Sequence, residues 1–244
     1  MIPLIRGWVD VERTPHTNAR LGMTLAFVAG AANAGGFLAV GQYTSHMTGV
    51  VSSIADSLVL GNVSIALAGA AMLCAFVLGA IATTLLVNWG LQHQLHSAYG
   101  LPLLVEAALL LLFGSAINLA AHLFVPLTVV LLCFIMGLQN AVISKISRSE
   151  IRTTHITGLV TDLGIELGKM VYINTSAIHP PVQSNPDKLR LQSTLIAAFF
   201  IGAMLGATGF KHVGYVTTVP LALALLVLTL RPLWTDATER WSKA

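Results

Sequence analysis

Two short segments hold most of the side chains in this chain that could do chemistry. TSHMTG begins at Thr44 and TTHITG begins at Thr153. Each sets a histidine between threonines: Thr44, His46 and Thr48 in the first, Thr153, His155 and Thr157 in the second. Each segment opens an apolar, helix-like stretch, and threonine and serine are good helix N-caps. A helix start offers free N–H groups and a positive dipole end. Two such ends meeting inside a protein would bind an anion or a polar solute. Gly49 and Gly158 would let the backbone come close. An imidazole's ordinary pKa lies near neutrality, so the side-chain type makes His46 and His155 candidate proton carriers. The competing reading is structural: the two rings hold a broken helix in place through backbone carbonyls. Two histidines alone make an incomplete metal site, so no metal or other cofactor is expected.

Four more polar residues stand out. Asn33 and Asn140 sit beside small residues, in GAANA and GLQNA. Small residues allow close helix packing, and asparagine can bond across the gap. One reading has each bonded to the Thr-His segment of the other half of the chain; the alternative has both lining a pore. Asp162 and Glu166 are spaced i, i+4 and share a helix face, with Lys169 following. A carboxylate in a bilayer costs at least about 2.5 kcal/mol, so these acids should face the protein interior or water. They suit proton or cation coupling, and they equally suit a Glu166–Lys169 ion pair. Asp56 and Glu106 are weaker candidates. There is no HExxH, GxSxG or P-loop, so no enzyme is expected. Cys74 and Cys133 lie in apolar runs and read as small packed side chains.

The elements that would position these residues are membrane helices. Of 244 residues, 55% are apolar and 9% are charged, against roughly 25% charged in soluble domains. Mean hydropathy is +0.79. A net charge of +3 without a long basic run excludes a nucleic-acid binder. Spans of about 20 apolar residues are predicted at 21–42, 62–88, 101–123, 126–144, 191–210 and 213–231. Stretches 45–60 and 153–178 are apolar but more polar than these. No cleavable signal peptide is expected, and residues 1–20 form an N-terminal segment at the membrane surface.

The chain also repeats itself. Thr44, His46, Thr48, Gly49 and Val51 match Thr153, His155, Thr157, Gly158 and Val160, and Asn33 matches Asn140. The acids do not repeat: Ser53 stands opposite Asp162 and Ser57 opposite Glu166. Repeat 1 covers about 21–123 and repeat 2 about 126–231, within one transmembrane domain at 21–232 followed by a tail at 233–244. Such repeats pack about a pseudo-two-fold axis, with sites between them built from discontinuous helices. If 45–60 and 153–178 do not cross fully, each half crosses three times and the halves are inverted. With the N-terminus inside, eleven Lys and Arg then fall in cytoplasmic segments and only Lys211 outside. If both stretches cross, the split is eight against four. The positive-inside rule favours the first arrangement. Trp8, Trp89 and Trp234 fall near cytoplasmic helix ends, as aromatic belts do.

GAANA with TSHMTG, then GLQNA with RTTHITG and TDLG, resemble the YoaK-like family of bacterial membrane proteins, a domain of unknown function. The resemblance covers roughly residues 20–232 and is most specific over Arg152–Gly164. It implies an inner-membrane location and an aspartate at the position of Asp162, which this chain keeps. It implies no substrate. The sequence therefore reads as an all-α polytopic membrane protein. It has about six transmembrane helices plus two re-entrant or broken ones, in two inverted repeats, with both termini cytoplasmic. The leading expectation is a small-solute transporter or channel for a small solute or ion, protons included. Its pathway would be built from Asn33, Thr44, His46, Thr48, Asn140, Thr153, His155, Thr157, Asp162 and Glu166. A non-transporting membrane sensor or scaffold is the alternative, and a homo-oligomer stays open.

Overall fold

The structure is a computed structural model that describes residues 8–11, 14–116, 125–175 and 179–243. All regular structure among these residues is helical. The helices are α1 (Pro15–Val40), α2 (Met47–Val59), α3 (Val63–Gln92), α4 (Gly100–Ala116), α5 (Val125–Ile146), α6 (Ile156–Val171), α7 (Pro186–Val213) and α8 (Thr218–Lys243).

Local sequence explains where the chain breaks. Thr14 and Thr17 form a reciprocal capping box, with a proline in the first turn that follows. The first helix thus starts at Pro15, six residues ahead of the span expected from hydropathy, and takes up part of the expected surface segment. It ends at Gly41, whose φ of 70° places it in the left-handed region that glycine favours. Asn185 caps α7 by accepting the Asp187 and Lys188 amides, again with proline in the first turn. Gly214, at φ 72°, separates α7 from a 3₁₀ turn at Gly214–Thr217 and from α8. The expected stretch 153–178 is helical only over Ile156–Val171, with residues 172–175 non-helical and 176–178 outside the described residues. The expected end of the third span, up to 123, also lies outside them beyond Ala116.

Four helical stretches among the described residues are long and apolar enough to cross a membrane: His16–Leu38, Val63–Gln92, Leu127–Ile146 and Pro186–Thr238. The last has 53 residues and holds both α7 and α8. Helices α2 and α4 are apolar but shorter. Large apolar side chains face outward along α3 and α7, among them Leu67, Leu78, Leu85, Phe200 and Leu205, each more than half exposed. An apolar outer surface over helices of this length belongs to a membrane protein.

The closest packing pairs α1 with α7 and α3 with α5. A Cβ on Gly30 would collide with the Phe199 carbonyl oxygen, and one on Gly202 with that of Phe27. In the other pair a Cβ on Gly79 would collide with the Phe134 carbonyl oxygen, and one on Gly137 with that of Phe76. Each contact sets the glycine of one Phe-x-x-Gly run against the phenylalanine backbone of another. Glycine is required here because only its missing side chain lets the backbones approach so closely. Helix α2 packs on α3, and α6 packs on α7. Helices α4 and α8 run antiparallel, with Gly114 against Thr218 and Gly100 against Thr229. The Thr218 hydroxyl donates to the Leu110 carbonyl at 2.8 Å. Leu103, Leu110, Phe113, Leu221 and Leu225 fill that interface and belong to the main core cluster.

Candidate functional site

After Gly41 the chain folds back along α1 instead of leaving the bundle. The Ser45 amide and hydroxyl both donate to Asn33 Oδ1, at 3.1 and 3.0 Å. Asn33 lies seven residues before the end of α1, which is about 10 Å at 1.5 Å per residue. Helix α2 therefore starts well inside the bundle. The second half does the same: after Ile146 the chain turns through Arg148 and Ser149, both at positive φ. The Thr154 hydroxyl then donates to Asn140 Oδ1 at 2.6 Å. Each asparagine thus holds the Thr-His segment of its own half. The expected bond to the other half's segment is not formed, because each fold-back is short enough to return the chain to the helix it just left.

The residue at each helix start is the histidine. His46 precedes α2 and His155 precedes α6, and neither side chain makes a cap hydrogen bond. Thr44 and Thr153, expected as caps and pathway residues, are fully buried and their Oγ1 atoms have no partner among the described residues. They sit two residues too early to cap. The Thr44 methyl is turned into the wall, where a Cβ on Gly36 would stand 3.3 Å away. The first bond of α2 runs from the Val50 amide to the His46 carbonyl, and that of α6 from Leu159 to His155. The amides of Met47, Thr48 and Gly49, and of Ile156, Thr157 and Gly158, come before those bonds and start the two helices unbonded. Each imidazole lies over the glycine three residues on: a Cβ on Gly49 would be 2.5 Å from His46 Nδ1, and one on Gly158 2.5 Å from His155 Nδ1. Arg152 Nη1 donates to His155 Nδ1 at 3.1 Å. Neither histidine bonds a backbone carbonyl among the described residues, so the expected structural role for the rings is replaced by packing on the first helical turn.

The two helix starts open on one cavity of about 580 Å³. Asn33, Ser45, His46 and Thr48 line it from the first half, and Asn140, Thr154, His155 and Thr157 from the second. Phe76 of α3 and Phe199 of α7 complete matching positions in its wall. These are the same two phenylalanines whose backbones meet Gly137 and Gly30.

The family described as "Protein of unknown function (DUF1275)" matches residues 21–231. The chain belongs to this family. That agrees with the YoaK-like resemblance of its motifs. No curated protein and no solved structure matches the chain.

The acids of this DUF1275 chain lie elsewhere. Asp162 and Glu166 line a separate cavity of about 280 Å³ with Glu150, Lys169, Lys188 and Gln192. The Lys169 ammonium donates to Glu166 Oε1 at 2.8 Å. The Asn185 amide donates to Glu166 Oε2, also at 2.8 Å. Glu166 is thus engaged by the start of α7 and by its own helix, the structural alternative read in the sequence. Asp162 is exposed. Of the expected pathway residues, Asn33, His46, Thr48, Asn140, His155 and Thr157 come together, whereas Thr44, Thr153, Asp162 and Glu166 do not line that cavity. Asp56 is exposed on α2. Glu106 is fully buried in α4, and neither of its carboxyl oxygens has a partner among the described residues.

At the C-terminal end of α8, Asp236 receives the His96 and Ser97 amides at 2.8 and 2.9 Å and thereby fixes the α3–α4 turn. Burial pushes its carboxyl up, but the hydrogen bonds from Ser97 and His96 outweigh burial and hold it below the usual aspartate range.

Sequence reasoning passed over Phe76, Phe199 and Arg152 as site residues. For the phenylalanines a signal was present: Phe-x-x-Gly occurs at 27–30, 76–79, 134–137 and 199–202.

Proposed function

We propose that this protein is a small-solute transporter or channel whose solute passes through the cavity between the two Thr-x-His-x-Thr-Gly segments. The observation behind this reading is that one cavity is lined by equivalent residues of both sequence halves: Asn33 and Asn140, Ser45 and Thr154, His46 and His155, Thr48 and Thr157. Polar backbone deep in a membrane bundle is tolerated where it lines a wet cavity, and transporter sites commonly lie at such repeat junctions. The proposal includes six crossing helices (α1, α3, α4, α5, α7 and α8), with α2 and α6 entering from opposite faces and returning. The two halves then have inverted orientation. The matched Phe-x-x-Gly contacts support two equivalent halves, since α1 meets α7 as α5 meets α3, and the Lys and Arg distribution supports their inversion. The same distribution supports both termini being cytoplasmic, and the resemblance of the motifs to the YoaK-like family supports a bacterial inner membrane. The reading assigns no catalytic reaction.

The test is flux in proteoliposomes across a panel of anions, cations and neutral solutes, with His46→Ala, His155→Ala and Asp162→Asn. The histidine variants should slow the transported solute, and Asp162→Asn should leave its route through the cavity open. If a solute moves and both histidine variants pass it at the wild-type rate, the cavity is not the pathway. Labelling of introduced cysteines at 145–152 from the outside would overturn the inverted arrangement.

A further inference from the structure

The geometry points to a small anion, such as a halide, nitrate or a short carboxylate, as the solute held in the cavity between the helix starts. This deepens the transport reading and rests on the same cavity. Asn33 supplies the deciding observation. It is 8% exposed and lines the cavity. A backbone amide can only donate, so the bond from the Ser45 N–H fixes Oδ1 on the Ser45 side. The Ser45 hydroxyl donates to the same oxygen. Asn33 Nδ2 is left with two N–H groups, no acceptor among the described residues, and a place in the cavity lining. The equivalent Asn140 differs: its Nδ2 donates to the Met136 carbonyl at 2.8 Å. One half therefore presents an open donor and the other a closed one.

The remaining groups around that donor favour negative charge. The starts of α2 and α6 bring six backbone amides that precede the first helical bonds, and neither start has a side-chain cap. Both dipoles place their positive ends at the same cavity. The Thr48 and Thr157 hydroxyls add donors. Arg152 adds positive charge behind the lining, through its bond to His155. Among the described residues no carboxylate lines this cavity; Asp162 and Glu166 line a separate one. A desolvated anion needs several N–H and O–H donors without competing negative charge, whereas a cation would find few free acceptors here.

Purified protein in vesicles tests this with sodium chloride, sodium nitrate, sodium formate, and glycerol as the neutral probe. Flux is followed by light scattering with an ionophore carrying the counter-ion. Binding is followed separately by thermal stabilisation at constant ionic strength, with gluconate as the bulky reference anion. Asn33→Asp keeps the acceptor that Ser45 needs and puts negative charge where the amide now points. It should lower flux and apparent affinity for the small anions about tenfold or more, as expected on losing a hydrogen bond to a charged group. Thr157→Val should give a smaller loss in the same direction, and it serves where Asn33→Asp fails to elute as a folded species. If glycerol moves and none of the anions moves or stabilises, the anion assignment is overturned and the transport reading stands. If nothing moves but small anions stabilise wild type and not Asn33→Asp, the site stands and transport falls. If no probe moves or stabilises, both are overturned. Unchanged anion flux in both variants also overturns the assignment.

Discussion

The two halves of the chain share a scaffold but differ in what they hang on it. Asn33 and Asn140 occupy the same place, each gripping the segment that leads into a short helix. Only Asn33 keeps an amide free towards the cavity. Helix α6 has Asp162 and Glu166 where α2 has Ser53 and Ser57. Glu166 is bound to Lys169 and to the start of α7, and Ser57 has no comparable task. The backbone contacts are duplicated and the charges are not. Packing geometry thus constrains both halves alike, while the polar groups differ, with the free amide in the first half and the acids in the second.

The strongest way to break this comparison is to alter the duplicated contacts. Gly30→Leu and Gly137→Leu would each drive a side chain into a phenylalanine carbonyl of the partner helix. Both variants should lose the monodisperse folded peak in size-exclusion chromatography. Even alanine should cost about 1–3 kcal/mol as overpacking. If one glycine tolerates leucine and its counterpart does not, the two helix pairs are not equivalent. Next come Gly49→Ala and Gly158→Ala, whose Cβ would stand 2.5 Å from the imidazole above it. Each should shift its ring and reduce solute flux while leaving the melting temperature close to wild type, and equal losses would mean that both helix starts matter equally. A smaller effect tests the unshared charges. Glu166→Gln should lower the melting temperature and Ser57→Ala should not; equal shifts would remove the asymmetry. The smallest effect concerns Asp236, whose carboxyl is held below its ordinary value. A depressed acid stabilises the fold above its unfolded pKa, near 3.9, and that contribution is lost as pH falls through the lower folded value. Hydrogen exchange at Ser97 should therefore speed up below about pH 4, and Asp236→Asn should remove that pH dependence.

Much of the scaffold was legible. Polar residues recurring in an apolar chain marked the repeat, and hydropathy placed α3 and α5 to within a few residues, but it began α1 at 21 and ended the last span at 231, whereas α8 runs to Lys243. The start of α1 was also written in the sequence, in Thr14, Pro15 and Thr17, but hydropathy does not weigh caps. The partners across the bundle were not legible, because a phenylalanine or a glycine in an apolar run looks the same whichever helix it meets. The acids were legible in part, for a related reason. Spacing placed Asp162 and Glu166 on one helical face, but not which cavity that face would border. Thr44 and Thr153 matched a cap signal by type, and only the backbone path shows the helix starting two residues later.

The pairing of α1 with α7 has a consequence for how the chain is made. Gly30 and Gly202 belong to the same contact although about 170 residues separate them. At 5–20 residues per second of synthesis, the first helix waits roughly ten to thirty seconds for its partner. During that interval its glycine face has only lipid or other nascent helices against it. The N-terminal helix must therefore hold in the bilayer without its main partner, and the bundle closes only after most of the chain has left the ribosome.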